Sequence, residues 1–237
     1  MKKTKAQLSI FIVLGVLILI FLFIVFYYIY SSYASPDRLK FERSSIASYM
    51  QACVDKTSSD ALKLAGRQGL YTAPKDALAN VSYLLKGNLN KLPSQQAIEQ
   101  DLSRYVEQHL LACLGNFAEF EQLEWSVSYE QPKASASMNL NDVSFSVSFP
   151  VNVKQQDLTI SLNQFSVKQD IRLLYLYRII EKMLATLQAE QAIDLTDMTN
   201  YNINLTVFPY QNASVYALED PEHMISGKPY LVMFAVK

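Results

Sequence analysis

Two cysteines are the residues of this sequence with the clearest chemistry. Cys53 and Cys113 are the only cysteines in the 237-residue chain, and each lies on the apolar side of a predicted helix. Two arrangements are open: two buried thiols, since cysteine is a frequent core residue, or one disulfide joining two packed helices. The disulfide requires an oxidising compartment. We favour it, because closing so long a loop would contribute roughly 4 kcal/mol by the chain-entropy relation.

A second group of polar side chains lies in the segment LEDPEHM near the C-terminus. Its carboxylates and imidazole are groups that bind divalent ions, but their spacing matches no EF-hand or zinc pattern. We therefore interpret the segment as a solvated acidic loop rather than a metal site. The residues concerned are Glu219, Asp220, Glu222 and His223.

The remaining candidate residues do not form a catalytic constellation. His109 is expected to be a half-buried structural histidine, Asp194 and Asp197 to be helix-end residues, and Trp125 to be a core residue. No serine stands in a Gly-x-Ser-x-Gly elbow, and paired carboxylates alone do not make a hydrolase. We predict that the chain is not an enzyme and has no cofactor.

Three Asn-x-Ser/Thr sequons are possible glycosylation sites if the chain is exported. They begin at Asn80, Asn204 and Asn212, although such tripeptides also arise by chance. The formal net charge is −1, and the part after the N-terminal lysines is mildly acidic. That composition argues against nucleic-acid binding, which uses a basic surface.

The N-terminus determines the cellular location. Three lysines precede Ala6 and Gln7, and the stretch from Leu8 to Tyr30 then carries no charge. As a helix it spans roughly 34 Å, enough for a hydrocarbon core of about 30 Å. We predict a basic cytoplasmic leader at 1–6, a transmembrane helix at 7–30, a linker at 31–43 and an extracellular domain at 44–237.

Orientation and processing are less constrained by these residues. Basic residues flank both ends of the apolar run, so the positive-inside rule only weakly places the N-terminus in the cytoplasm, and the expected disulfide supports the same orientation. Three fates remain open. They are a secretory signal cut after Ala34, an uncleaved anchor, and a leader cut between Ala6 and Gln7 with the helix retained.

Hydrophobic periodicity predicts the elements of the external domain. Helices are expected over Ser44–Ala65, from the N-cap Ser94 to Gly115, and over about Val167–Gln191, the last with Arg178 among its spaced positions. From Trp125 the period changes to two, which predicts strands of a half-buried antiparallel sheet. The fold class is therefore α+β, with about three helices packed on an antiparallel sheet.

Several segments stand in a recognisable order: KAQLSIFIVLG, then IASYMQACVDKTSSDALKLAGRQGLY, LPSQQAIEQDLSRYVEQHLLACLGNF, VSFSVSFPVNV and KPYLVMFAVK. In this order the chain resembles an uncharacterised family of archaeal single-pass surface proteins with a pilin-like (class III) N-terminal signal. The resemblance matches Cys53 and Cys113 to a cysteine pair, and Ala6-Gln7 to the cleavage site of a prepilin-type peptidase. It implies no activity.

We therefore expect a cell-membrane protein, held in the lipid bilayer by a single pass, whose external domain has a binding or structural role. Its partner would be a surface protein or a glycan. The alternative is a pilin-like subunit or minor component of an archaeal type IV filament or secretion system. Phe11 argues against filament assembly, because pilins commonly carry a glutamate at this position, and it suits a lone anchor better.

Overall fold

The structure is a computed structural model that describes residues 15–27, 36–74, 76–118, 120, 125–156, 158–189, 193 and 200–237. The predicted cleavage site at Ala6-Gln7 lies outside these residues, as do Phe11, Asp194 and Asp197. The chain divides into two compact units, Met1–Ile46 and Ala47–Lys237.

The first unit contains an apolar helical segment over residues 15–27. Its side chains are largely exposed, including Phe21 at 66%, Phe23 at 72% and Phe26 at 73%. Within the described ranges, no helix is both long and apolar enough to cross a membrane. The predicted transmembrane helix at 7–30 extends beyond those ranges on both sides.

In the described residues from Pro36 onward, the long helices are α1 Pro36–Arg67, α2 Gln95–Cys113 and α3 Leu173–Gln188. Gly115–Phe117 form a short 3-10 helix after α2. The apolar spacing of α1 and α2 places one face of each in the core, with Met50, Ala61, Ile98 and Leu102 no more than 1% exposed. Ser94 caps α2 as predicted, because its Oγ accepts a hydrogen bond from the backbone N–H of Ala97 at 3.2 Å.

Within the described residues, ten strands form two sheets. They are β1 Ala77–Leu78, β2 Val81–Lys86, β3 Leu89–Asn90, β4 Ser126–Tyr129, β5 Lys133–Met138, β6 Val143–Gln155, β7 Leu158–Gln169, β8 Asn204–Tyr210, β9 Ala213–Ile225 and β10 Lys228–Val236.

The first sheet has the order β1-β2-β10-β9-β8, with β3 also paired to β2. Its pairs are antiparallel except β2 and β10, which run parallel with Ala235 opposite Tyr83. The C-terminal strand β10 thus lies inside the sheet. Its alternate residues Tyr230, Val232 and Phe234 are at most 1% exposed, so this face of β10 belongs to the core.

The second sheet is antiparallel and is built around β6. β7 pairs with one side of β6, while β4 and β5 share the other side. The alternation that predicted these strands is borne out by burial: Val143, Phe145 and Val147 are at most 1% exposed, and the residues between them point away from the core.

The α+β class is confirmed, but the expectation of one antiparallel sheet is replaced by two sheets and one parallel pair. The third helix also begins later than predicted, because Val167 pairs with Phe145 in the β6–β7 hairpin and β7 continues to Gln169. Arg178 is exposed on α3 rather than part of its buried face. The long hairpin overrides the local helical spacing.

Helix α2 closes the free edge of β5 with its side chains. Glu107 Oε1, Ser103 Oγ and Glu99 Oε1 accept hydrogen bonds from the backbone N–H groups of Ala134, Ala136 and Met138, at 2.8, 2.8 and 2.9 Å. Four helical residues rise about 6 Å, close to the roughly 6.6 Å of two strand residues. The two repeats therefore match, and three acceptors stand where a neighbouring strand would supply them.

This edge closure predicts a graded response at Glu107. Glu107→Ala should lower the free energy of unfolding by about 1 kcal/mol, because the Ala134 N–H loses its acceptor. Glu107→Gln keeps a carbonyl oxygen and should retain most of that stability. Chemical denaturation measures both, with Gln100→Ala on the exposed side of α2 as the control, expected within about 0.5 kcal/mol of wild type. Equal losses in the two Glu107 variants would contradict the acceptor role.

Candidate functional site

The disulfide is confirmed: Cys53 and Cys113 are bonded, with their Cα atoms 5.7 Å apart and a sequence separation of 60. It joins the middle of α1 to the last residue of α2. The apolar faces predicted for the two helices are therefore the faces that meet, and the bond fixes the helix that closes the β5 edge.

The segment LEDPEHM is part of β9, not a solvated loop as we had predicted. Asp220 pairs with Tyr230 of β10 and Met224 pairs with Pro229, so the three residues between Asp220 and Met224 bulge out of the ladder. A bulge bends a strand and re-aims its side chains. Here it turns Glu222 toward the residue that precedes α3.

That residue is Arg172, which forms a bidentate pair with Asp220. Arg172 Nε donates to Oδ2 at 2.7 Å and one terminal nitrogen donates to Oδ1 at 3.0 Å. Asp220 is fully buried, and the Arg172 side chain is 15% exposed. The guanidinium also lies over the ring of Tyr175, 4.8 Å from its centroid. Two parallel charge-assisted hydrogen bonds orient both groups and offset part of the cost of burying the charge.

Glu222 and His223 extend the cluster toward solvent. Arg172 contacts Glu222 Oε2 at 3.1 Å, and Asn202 donates to the other oxygen of Glu222 at 2.6 Å. His223 Nδ1 lies 3.1 Å from Asp220 Oδ2, yet without the alignment of a hydrogen bond. The cluster therefore links the bulge of β9, the start of α3 and the segment before β8.

The electrostatics of the pair keep both members charged. Burial raises the pKa of Asp220, but the Arg172 guanidinium and the Glu222 backbone N–H lower it by more, so the net shift is downward. The hydrogen bonds to Asp220 raise the pKa of Arg172 further, against the effect of burial. This arrangement is that of a structural ion pair rather than of an acid–base group tuned to neutral pH.

These residues do not fit a metal ion. Ligand atoms of Asp220, Glu222 and His223 lie within 4.8 Å of one another. However, the guanidinium of Arg172 already occupies both oxygens of Asp220 and contacts Glu222. A metal ion would lie next to the positive charge of Arg172. The guanidinium already balances the negative charge of the carboxylates, so no metal ion is needed to do so.

A groove between the β1–β3 region and α2 is the better candidate for binding. This Tyr71–Lys91 groove encloses about 440 Å³. Asp101 on its α2 side accepts hydrogen bonds from the backbone N–H and the hydroxyl of Thr72, at 2.6 and 2.8 Å. Asp76 is held by ion pairs with Lys86 and Lys91. Aromatic rings and anchored charged groups together suit a ligand with one apolar and several polar faces. The groove is lined by Tyr71, Ala73, Asp76, Ser82, Tyr83, Lys91, Ala97, Gln100, Asp101 and Arg104.

None of the other sequence candidates that the structure describes lines this groove. His109 is exposed and stacks on Tyr105 with ring centroids 4.0 Å apart, so the expectation of a half-buried histidine is wrong. Trp125 is 7% exposed and is a core residue as predicted. The three sequon asparagines Asn80, Asn204 and Asn212 are all exposed.

Sequence reasoning missed Arg172 and the groove. Arg172 carried one signal: it is the charge immediately before the strongly apolar run LLYLY. A charged residue next to an apolar run is either exposed to water or paired with an opposite charge. Arg172 is paired because β9 places Asp220 beside it. The residues of the groove come from two distant segments, and no local spacing connects them.

No protein-family model, curated protein or solved structure matches the chain.

The buried pair predicts a loss of stability with a defined pH dependence. Asp220→Asn should lower the free energy of unfolding by about 3 kcal/mol at pH 7, because Arg172 keeps its charge, loses its buried carboxylate partner and retains only the half-exposed Glu222. The folded-state pKa of Asp220 lies below the unfolded value of about 3.9. The contribution of ionised Asp220 to the free energy of unfolding is therefore complete above the unfolded-state pKa. It is lost as the pH falls through the folded-state pKa. Urea unfolding should show a smaller difference in the free energy of unfolding between wild type and Asp220→Asn at pH 3 than at pH 7.

Asp170→Asn is the matched control for this measurement. Its side chain is 89% exposed and only 3.7 Å from His223 Nε2. The same chemical change there should alter stability by no more than about 0.5 kcal/mol. A wild-type advantage over Asp220→Asn that is the same at both pH values would refute the charged pair.

Proposed function

We propose that this chain is a membrane-anchored cell-surface protein whose α+β domain lies outside the cell and has a binding or structural role. The observation that carries the proposal is the exposed apolar helix at residues 15–27. Each of Val16, Leu17, Ile18, Leu19 and Ile20 is at least 50% exposed. Burial of apolar surface is worth about 25 cal/mol per Å², so a lipid environment suits this helix better than water.

The disulfide supports the external location. Disulfides persist in oxidising compartments and are rare where thiols are kept reduced. The bond between Cys53 and Cys113 lies in the second unit of the chain, the part predicted to be outside the cell. The membrane orientation that follows agrees with the weak preference of Lys2, Lys3 and Lys5 for the cytoplasmic side.

The Tyr71–Lys91 groove supports a binding role. Its rim carries acidic and basic side chains that are already oriented by neighbours, as Asp101 is by Thr72. Polar groups that are already oriented reduce the ordering cost of recognition. A surface protein or a glycan offers the mixture of polar and apolar faces that such a groove accommodates. A surface protein or a glycan is therefore the partner that we propose.

A pilin-like subunit is the second candidate. The leader ending at Ala6-Gln7 favours it, and so does α1, which is helical from Pro36 and continues into the folded domain. Phe11 argues against it because it leaves no buried carboxylate to pair with a neighbouring subunit. Filaments of the purified protein that persist without detergent would favour the pilin-like subunit, and a detergent-dependent monomer would favour the lone anchor.

The anchored topology predicts accessibility from outside the cell. A tag placed after Lys237 should be removed when intact cells are treated with external protease, while a cytosolic marker protein stays whole. In the same sample, Cys53 and Cys113 should resist alkylation until a reductant is added. A tag that is cut only after lysis would overturn the external location.

The resemblance of the leader to class III signals predicts cleavage between Ala6 and Gln7. Coexpression of the full chain with an archaeal prepilin-type peptidase should give a mature protein that begins at Gln7. Ala6→Trp should block this because the bulky ring does not fit a subsite for a small residue. Ala34→Trp is the matched control, since it alters only the conventional secretory site. N-terminal sequencing decides: an intact start at Met1 with active peptidase indicates a plain anchor, and a start at Ser35 a removed signal.

A further inference from the structure

The edge strand β8 is poorly covered. Within the part of the chain that the structure describes, β8 pairs only with β9. Val207, Phe208 and Tyr210 are 44%, 51% and 49% exposed, and no residue from Asn204 to Tyr210 carries a charge. An uncharged edge with exposed apolar side chains offers its free backbone groups to another chain.

The edges of β5 and β7 are instead contacted by side chains from helices. Three α2 side chains occupy the edge of β5. On β7, Gln51 of α1 donates a hydrogen bond to the carbonyl oxygen of Ser166 at 2.8 Å. On β8, Pro209 removes one N–H from the strand, which blunts the edge at that residue alone. The apolar side chains beside it remain exposed.

Two of the three sequons bracket this strand. Asn204-Leu205-Thr206 forms its first three residues, and Asn212-Ala213-Ser214 begins in the turn that follows it. Because side chains alternate along a strand, Asn204 lies on the same face as Phe208 and Tyr210. Its amide donates a long hydrogen bond, of 3.3 Å, to Glu219. Asn212 is exposed at the opposite end of β8.

The third sequon differs in its environment. The hydroxyl of Ser82, which completes the sequon of Asn80, donates a hydrogen bond to the carbonyl oxygen of Gln68 at 2.6 Å, and Ser82 is 3% exposed. Thr206, at the equivalent position of the Asn204 sequon, is exposed. The folded domain therefore presents the Asn204 sequon more openly than the Asn80 sequon.

We propose that Asn204 and Asn212 carry N-linked glycans, and that these glycans cover the β8 edge. The proposal rests on the external location of the domain. The co-reactant is a lipid-linked oligosaccharide. A bond forms between Nδ2 of the asparagine and the anomeric carbon of the first sugar, the bond from that carbon to the lipid phosphate breaks, and the amide gives up one proton. No oxidant or reductant is required.

The glycans cover the edge of β8, as helix side chains cover the edges of β5 and β7. A hydrated oligosaccharide at each end of a seven-residue strand occupies the space that a second strand would need. Phe208 and Tyr210 then lie beneath a sugar on their own face instead of facing a second copy of the chain. The glycosylated domain stays monomeric, and the unmodified domain pairs through β8.

Mass spectrometry of the full chain from an archaeal host that N-glycosylates exported proteins tests site use. Asn90→Thr supplies the control, because it creates a sequon at Asn88, which is exposed in the turn between β2 and β3. Sugar on Asn204, Asn212 and the control site is expected. Sugar on the control site alone overturns the inference and leaves the external location standing. A chain without sugar at any site overturns both.

The shielding role has its own test. Thr206→Ala combined with Ser214→Ala removes both sequons and keeps both asparagines. In detergent, light scattering on a sizing column should then show a protein mass of at least two chains, where the glycosylated chain shows one. Adding Val207→Lys should restore the single chain, because opposed edges would bring like charges together. A double variant that stays a single chain at the same concentration overturns the shielding role.

Discussion

The parallel pairing of β10 with β2 is the constraint on which this architecture depends. It places the last strand of the chain inside the first sheet, so that β8 and β9 join β2 only through it. The hydroxyl of Tyr230 at the start of β10 donates to the carbonyl oxygen of Leu62 in α1, at 3.0 Å. Gly66 allows this contact, because a Cβ there would come within 2.4 Å of the carbonyl oxygen of Leu231. Helix α1 and strand β10 are therefore packed directly against each other.

Two further connections tie distant segments to this centre. The disulfide joins α1 to α2, and α2 in turn supplies the acceptors along the β5 edge of the second sheet. The Arg172–Asp220 pair joins the start of α3 to the bulge of β9 in the first sheet. Since loop closure costs entropy before such contacts form, a covalent bond and a buried ion pair suit a fold with many non-local contacts.

These features describe a disulfide-bonded domain whose charged groups are anchored by neighbouring side chains. Among the described residues, the buried carboxylates Asp142 and Asp220 are each paired with a basic side chain, Lys168 and Arg172. The groove beside α2 holds its carboxylates by hydrogen bonds and ion pairs. The proposed binding role would use charged groups that are held in this way. The proposed anchor would keep the domain at the cell surface, where the proposed glycans would separate the β8 edge from neighbouring copies.

Local patterns in the sequence determined the faces of α1 and α2, the Ser94 cap, the alternation of β6 and the partnership of the two cysteines. Each depends on spacing within a few residues, or on there being only one partner available, and so can be inferred without coordinates. The tertiary structure alone decided the parallel β2–β10 pair, the late start of α3 and the burial of Asp220. Asp220 and Arg172 are 48 residues apart. From the sequence alone, an acidic residue beside a proline indicates a solvated turn, because nothing nearby identifies a basic partner. Only the packing of β9 against the start of α3 supplies that partner, because desolvation and charge pairing act between neighbours in space.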